Sequence, residues 1–489
     1  MPFIGDARQL HPRRGEAAER CRLGLSATGW HGPRMFGTVE IPIWLFALIL
    51  LFAAVTFASH FLFPSVRWFF RRRAERLVAR LNTRLQRPIE PFKLARRHDM
   101  IQRLIYDPAV TEAMVEHARK EGVPENVAFE QAKAYAREIV PSFSATAYFT
   151  FGTRLARWLS NSLYRIRLGR FDRDDPDGIA PDATVIYVIN HRSNMDYVLV
   201  TWLVSETSAL SYAVGEWARV WPLSSMIRSM GAYFIRRRSR GALYRRVLAR
   251  YVQLATDGGV TQAIFPEGGL SLDGRAQPPR LGLLSYIIDG AARRARDVVF
   301  VPVGLNYDRV LEDGILIAAG RAGRRRFRPP IFRALFGIGA YLLRFVTFRT
   351  RPYGVASVGF GTPLSLREWS AGREEVAVEA LAEELMRRIG AVIPVLPVPL
   401  VARAILRGAR SETEIEAMVD ADMAALAACG ASLPRRGPRD VVADALRILR
   451  ERRLVTGGAE IAPVAGKAPI LDFYAASIAH HFERPLTGP

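Results

Sequence analysis

The run His191-Arg192-Ser193-Asn194-Met195-Asp196 places an imidazole and a carboxylate five positions apart, just after the apolar stretch Thr184-Val185-Ile186-Tyr187-Val188-Ile189. A histidine at the end of a buried strand can take a proton from an alcohol near neutral pH. A carboxylate beside it fixes the tautomer and stabilises the imidazolium that forms. The pair has the form of a general base with its orienter, a triad without a serine of its own, so the hydroxyl would come from the substrate. Ser193 and Asp196 also have the spacing of a capping box, in which the carboxylate ties down a helix N-terminus. One residue can do both.

Three further motifs follow. Gly231-Ala232-Tyr233-Phe234-Ile235-Arg236-Arg237 ends an apolar run in paired arginines, which could clamp a phosphate. In Phe265-Pro266-Glu267-Gly268 a strand breaks at a proline and a glycine, and Glu267 could orient a substrate hydroxyl or pair with an arginine. Val301-Pro302-Val303 lies inside another apolar run. Taken singly, each is equally a strand end or a turn. Together they put polar groups at the ends of strands, where open α/β sheets bind ligands.

The elements that must position these motifs are legible from periodicity. Short apolar strands at 184–190, 210–215, 232–236, 260–265 and 298–306 alternate with helical stretches at 194–206, 217–230, 241–256 and 281–296. A further strand is expected over Gly354 to Phe360. The pattern predicts an α/β domain over 181–365, with a central, mostly parallel or mixed sheet flanked by helices. Residues 67–180 read as helical, with stretches from Pro91 to Leu104, Pro108 to Glu121, Pro124 to Ile139 and Phe151 to Leu168. Asp172 to Pro181 reads as a linker. From 366 to 489 the chain is again helical, with segments at 373–389, 411–428 and 438–453.

Among the 489 residues, 69 are Lys or Arg and 47 are Asp or Glu, a formal net charge of +22, and 49% are hydrophobic, enough for a core. Lys93, Lys120, Lys133 and Lys467 are the only lysines. Arginine suits lipid headgroups, phosphorylated substrates and nucleic acid alike, and its excess also fits a GC-rich genome. No stretch has the form of a nucleic-acid module, so that partner is not expected. Cys21 and Cys429, the only cysteines, fit a reducing compartment, and no zinc spacing occurs. Neither a metal nor a cofactor is expected.

From Ile41 to Phe63 there is no charged residue, followed by a collar of Arg67, Arg71, Arg72, Arg73, Arg76 and Arg80 around Trp68. This predicts one transmembrane helix over 41–63, with the following residues on the cytoplasmic side of a bacterial inner membrane. Residues 1–40 read as a tail, and Met35 just before the apolar run suggests itself as the natural start. Arg321 to Arg328 lead through Pro329-Pro330 into the apolar stretch Ile331 to Phe348, which reads either as an interfacial helix or as a buried one.

The ordered set of motifs resembles the glycerolipid acyltransferase family, whose four blocks are HxxxxD, GxxFIRR, xxEG and a proline-containing strand. Within it the likeness is to the glycerol-3-phosphate acyltransferase branch. His-Arg-Ser-Asn-Met-Asp-Tyr at 191–197 and Asn306-Tyr307-Asp308-Arg309-Val310-Leu311-Glu312 carry it, as does Ile389 to Pro397. The resemblance covers most of 95–489. It implies the fold of that family, His191 as general base and Asp196 as its partner. It implies Arg236, Arg237, Glu267, Gly268 and Arg275 as acceptor-binding residues.

The implied substrates are glycerol 3-phosphate and an acyl donor, acyl-CoA or acyl carrier protein, with membrane lipids as surroundings. The oxyanion would be held by backbone amides near Asn194. One departure stands out: where the family's third block continues with Arg-Ser-Arg, this chain has Leu270-Ser271-Leu272. The alternative acceptor is therefore lysophosphatidate or another lysolipid.

Overall fold

A computed structural model describes residues 42–169, 179–215, 219, 221, 223–236, 241–290, 294–323, 352–373, 377–458 and 460–483. The tail, Met35, most of the linker, Arg237 and the Ile331–Phe348 stretch lie outside the described residues. The chain divides into two compact units, Met1–Phe70 and Arg71–Pro489.

Helix α1 runs over Ile43–Asn82, through the apolar stretch and the basic collar that follows it. Apart from half-buried Leu45, its large apolar side chains from Ile43 to Phe57 are exposed, Ile43 at 88% and Phe52 at 72%. Among the described residues no single helix is long and apolar enough to cross a membrane, and the apolar part of α1 is described from Ile43 to Phe57.

The second unit opens with short helices: α2 (Pro91–Leu94), α3 (Arg97–Ile105), α4 (Pro108–Glu121) and α5 (Glu125–Ile139). Sequence punctuation sets their ends. Asp107 accepts from the Ala109 amide, Pro108 takes the first helical position, and Gly122 closes α4 at φ 66°. The stretch Pro91 to Leu104 is two helices rather than one, broken at Ala95 and Arg96. The stretch Phe151 to Leu168 also departs from the helical expectation. A π-turn at Ala147–Gly152 leads into α6 (Thr153–Leu163), and the chain then extends into strand β1 (Arg165–Leu168). The Arg-Ile-Arg-Leu alternation satisfies a strand as well as a helix, and pairing with a neighbouring strand decides the matter.

The α/β layer follows: β2 (Thr184–Ile189), α7 (Met195–Val204), β3 (Ser211–Gly215), α8 (Leu223–Ser229), β4 (Tyr233–Ile235), α9 (Ala242–Asp257), β5 (Gln262–Ile264), α10 (Gly282–Ile288), β6 (Val298–Tyr307), α11 (Asp313–Arg321), β7 (Val355–Phe360) and β8 (Leu364–Ser365). Helix α10 stops well short of 296: Asp289 leaves helical geometry at ψ 126°, and Gly290 then turns left-handed at φ 76°. The sheet order is β1-β7-β6-β2-β5-β3-β4, with β8 also pairing β6. Pairing is parallel except where β6 meets β7 and β8.

Strand β2 shows how the sheet is covered. Val185, Tyr187 and Ile189 enter one apolar cluster, with α7 and the helices Pro397–Leu406 and Pro438–Glu451. Ile186 and Val188 enter another, with α3, α4, α5, α9 and the helix Val378–Val392. Both faces are buried, which is why the strand is an unbroken apolar run. Pro302 sits inside a central strand without cost to the ladder. It falls between the β8 pairing at Val299–Phe300 and the β7 pairing from Val303, and its carbonyl accepts from Gly361.

Candidate functional site

The parallel strands deliver His191, Glu267 and Arg236 to one edge of the sheet, just beyond the C-terminal ends of β2, β5 and β4. Asn190 starts the His191 turn by extending the ladder with its side chain: its Oδ1 accepts from the Leu305 amide at 2.7 Å and its Nδ2 donates to the Leu305 carbonyl at 3.0 Å. His191 is then 2% exposed and Asp196 fully buried. The imidazole Nδ1 lies 2.9 Å from Asp196 Oδ2, so Nδ1 carries the proton and Nε2 presents its lone pair. Phe265 stacks against the ring at 4.3 Å, and the Tyr197 hydroxyl lies 3.5 Å from Nε2.

Asp196 is held from several sides. Its Oδ2 also accepts from the Arg192 amide at 2.7 Å and the Ser193 amide at 3.0 Å, and its Oδ1 accepts from the Tyr307 hydroxyl at 2.6 Å. With His191 Nδ1, four donors converge on this buried carboxyl group. Burial and the Asp196 charge hold the Tyr307 phenol well above its usual range. Asp196 thus orients the base and ties down the amides ahead of α7, but the capping box is corrected: Asn194 is the N-cap, and Ser193 Oγ accepts from the Met195 amide rather than that of Asp196.

Glu267 is 5% exposed, and both its oxygens go to backbone: Oε1 accepts from the His191 amide at 3.0 Å and Oε2 from the Gln277 amide at 3.1 Å. Burial pushes its carboxyl up to about 7. Through these two bonds Glu267 braces the histidine turn. Gly268 adopts φ 67°, and a Cβ there would collide with the Arg280 side chain. The Ser271 amide donates to the His191 carbonyl at 3.0 Å, so the third block touches the histidine at two backbone points.

Among the described residues, two of the expected phosphate ligands are engaged by carboxylates. Arg236 ends β4, three strand intervals from β2, on the order of 14 Å away. Its guanidinium lies on Tyr135 and Tyr244 and is bonded to Glu138 through Nε at 2.9 Å and Nη2 at 2.6 Å. Arg219 shares the same carboxylate at 2.8 Å. Arg275 is exposed and pairs with Glu483 at 2.7 Å. Leu270 and Leu272, at the positions of the family's arginines, pack against the apolar cluster instead.

The amides near Asn194 are corrected as well. Those of Arg192 and Ser193 serve Asp196, that of Asn194 donates to Glu312 at 3.2 Å, and that of Met195 to Ser193 Oγ at 3.1 Å. Glu312, raised by burial, also accepts from Ser193 Oγ at 2.8 Å.

Sequence reasoning passed over Asn190, Tyr307 and Glu312 as individual residues, although the last two lie in the Asn306–Glu312 stretch it singled out. It also passed over Arg192. This arginine is 4% exposed, donates to the Gly274 carbonyl and lies 5.4 Å from the Phe473 ring. Among the described residues no group of three or more His, Cys, Asp or Glu is arranged to hold a metal ion.

Comparison with known proteins follows the same lines. A family profile described as Acyltransferase matches residues 170–306, and one described as Glycerol-3-phosphate acyltransferase C-terminal region matches 340–485. A protein of Pseudomonas putida (strain W619) named glycerol-3-phosphate acyltransferase is 30% identical over 361 residues, covering 69% of this chain and 42% of its own length. One of the same name from Aeromonas hydrophila subsp. hydrophila is 31% identical over 352 residues, covering 67% and 42%. The chain therefore spans less than half the length of these relatives. A crystal structure of the 1-acyl-sn-glycerophosphate acyltransferase of Thermotoga maritima matches with a TM-score of 0.31 and 19% identity. It covers 50% of this chain and 76% of that one, a superposition too loose to argue from.

Proposed function

This chain belongs to the glycerol-3-phosphate acyltransferase family, and from that premise we propose that it transfers an acyl chain to the 1-hydroxyl of glycerol 3-phosphate. The donor would be acyl-CoA or acyl carrier protein. The observation that carries this is the His191–Asp196 pair, whose Nδ1 is committed to the carboxylate, leaving the Nε2 lone pair for a hydroxyl. Nε2 removes the proton as the hydroxyl oxygen adds to the thioester carbonyl. Collapse of the tetrahedral intermediate breaks the C–S bond, and the proton on His191 passes to the departing thiol. Asp196 holds the imidazole in place throughout. The reaction needs neither a cofactor nor a covalent enzyme intermediate.

The exposed apolar surface of α1 supports a membrane-held protein, with the catalytic unit on the cytoplasmic face. A second acceptor class, a lysophosphatidate or other lysolipid, is favoured by one observation: Leu270 and Leu272 add apolar packing where the family has cations.

The test supplies membranes carrying the protein with an acyl thioester and either glycerol 3-phosphate or its 1-acyl derivative, beside His191→Ala. The expected result is transfer to glycerol 3-phosphate and near-complete loss in the variant. Transfer to the 1-acyl derivative alone selects the second reading, and transfer to neither overturns both.

A further inference from the structure

Between Glu138 and Asp172 the chain has no carboxylate, and α6 lies in the middle of that interval. One side of α6 is inward: Ala156, Ser160 and Leu163 are buried. Helices α6 and α7 pack together, and α7 carries Asp196 in its first turn. The other side carries Phe151 at the end of the π-turn, then Arg154, Arg157 and Trp158, all exposed, at a spacing that keeps them on one face. Phe151 is 56% and Trp158 44% exposed, unusual for large aromatic rings on a helix whose opposite face already has its core. Among the described residues neither Arg154 nor Arg157 forms an ion pair.

Two aromatic rings flanking two uncompensated arginines is the composition of a helix lying at a lipid headgroup layer. There the rings enter the acyl boundary and the guanidinium groups meet phosphate. An acidic protein surface would match the charge and leave Phe151 and Trp158 without a comparable apolar host. We propose that this face of α6 is a docking surface for an anionic phospholipid bilayer, separate from whatever hold α1 provides. It sets the catalytic unit against the headgroups one helix away from Asp196, so an amphiphilic product would form next to the surface that takes it up.

The full chain carrying Cys21→Ser and Cys429→Ser receives a single new cysteine, Phe151→Cys or Trp158→Cys, labelled with an environment-sensitive fluorophore. The control is Cys21→Ser labelled at the native, exposed Cys429. All are reconstituted with phosphatidylglycerol or phosphatidylcholine vesicles containing a headgroup-nitroxide lipid. The expected result is quenching at 151 and 158 in phosphatidylglycerol, several-fold stronger than at 429 and weakened by salt. Arg154→Glu with Arg157→Glu should reduce that quenching while thermal unfolding stays unchanged. Equal quenching at 151, 158 and 429 overturns the proposal, because this face of α6 is then no nearer the lipid than the control site. Shielding of 151 and 158 from a water-soluble quencher before any lipid is added also overturns it, since protein would then cover the face. So does protection by an acidic protein where vesicles give none.

Discussion

At the scale of single residues, the site is a histidine whose position is fixed by a ring of buried polar groups. Tyr307 is the clearest case. Its hydroxyl is one of the donors on Asp196, so it fixes the carboxyl group that fixes His191. Tyr307→Phe keeps the ring and removes that donor, and should lower kcat by roughly tenfold with little change in KM. An unchanged kcat in the variant would show that Tyr307 only packs. The other charged groups around the turn, Glu267, Glu312 and Arg192, are unchanged in that variant. His191 and Asp196 were legible in the sequence because base and orienter lie within one short motif. Glu267 was legible as a residue and not in its role, because a carboxylate aimed at two distant amides looks the same in sequence as one aimed at a ligand.

At the scale of elements, the strand and helix alternation gave most of the layer, since each buried strand is an apolar run and helices begin at prolines and caps. It failed at Arg165–Leu168, where alternation and helical spacing overlap and only the parallel partner Val355–Val358 decides. It also could not show which loop meets which. Gly274 marks such a meeting. It has φ 88°, its carbonyl takes a bond from Arg192, and a Cβ there would strike the carbonyl of Phe473 in the helix Ala468–Ala475. Gly274→Ala should therefore cost stability, about 1–3 kcal/mol in chemical denaturation, and lower kcat at the same time. Gly437→Ala meets open space and should leave both unaltered.

At the scale of the whole molecule, the helices after the sheet are part of the catalytic body, and their last turn carries its own titration. His480 and His481 stack at 4.1 Å, and their Nε2 atoms lie 3.0 and 3.1 Å from the carbonyls of Gly390 and Ile393. Burial, then the neighbouring imidazole, pushes His480 down to about 3, and burial lowers His481. The unfolded chain takes up these protons near pH 6.5 and the folded chain does not, so stability falls as pH drops from about 6.5 toward about 3. Glu267, raised to about 7, and Asp308, raised to about 6, work in the opposite direction: they favour the fold at low pH and cease to do so as pH rises through those values. Replacing both histidines by Gln should flatten the acid-side loss, measured by denaturant unfolding at about pH 7 and about pH 5. An identical pH slope in the variant would exclude them as its source. The contacts on the His191 turn come from Glu267, Ser271, Leu305, Tyr307 and Glu312, and through Arg192 from Gly274 and Phe473. These partners are spread along the chain almost to its end. A ribosome making this chain thus exports the His191 turn long before the residues that shape it. In the reaction proposed above, a nascent chain stalled before the segment around Phe473 has left the exit tunnel should carry an incompletely framed histidine.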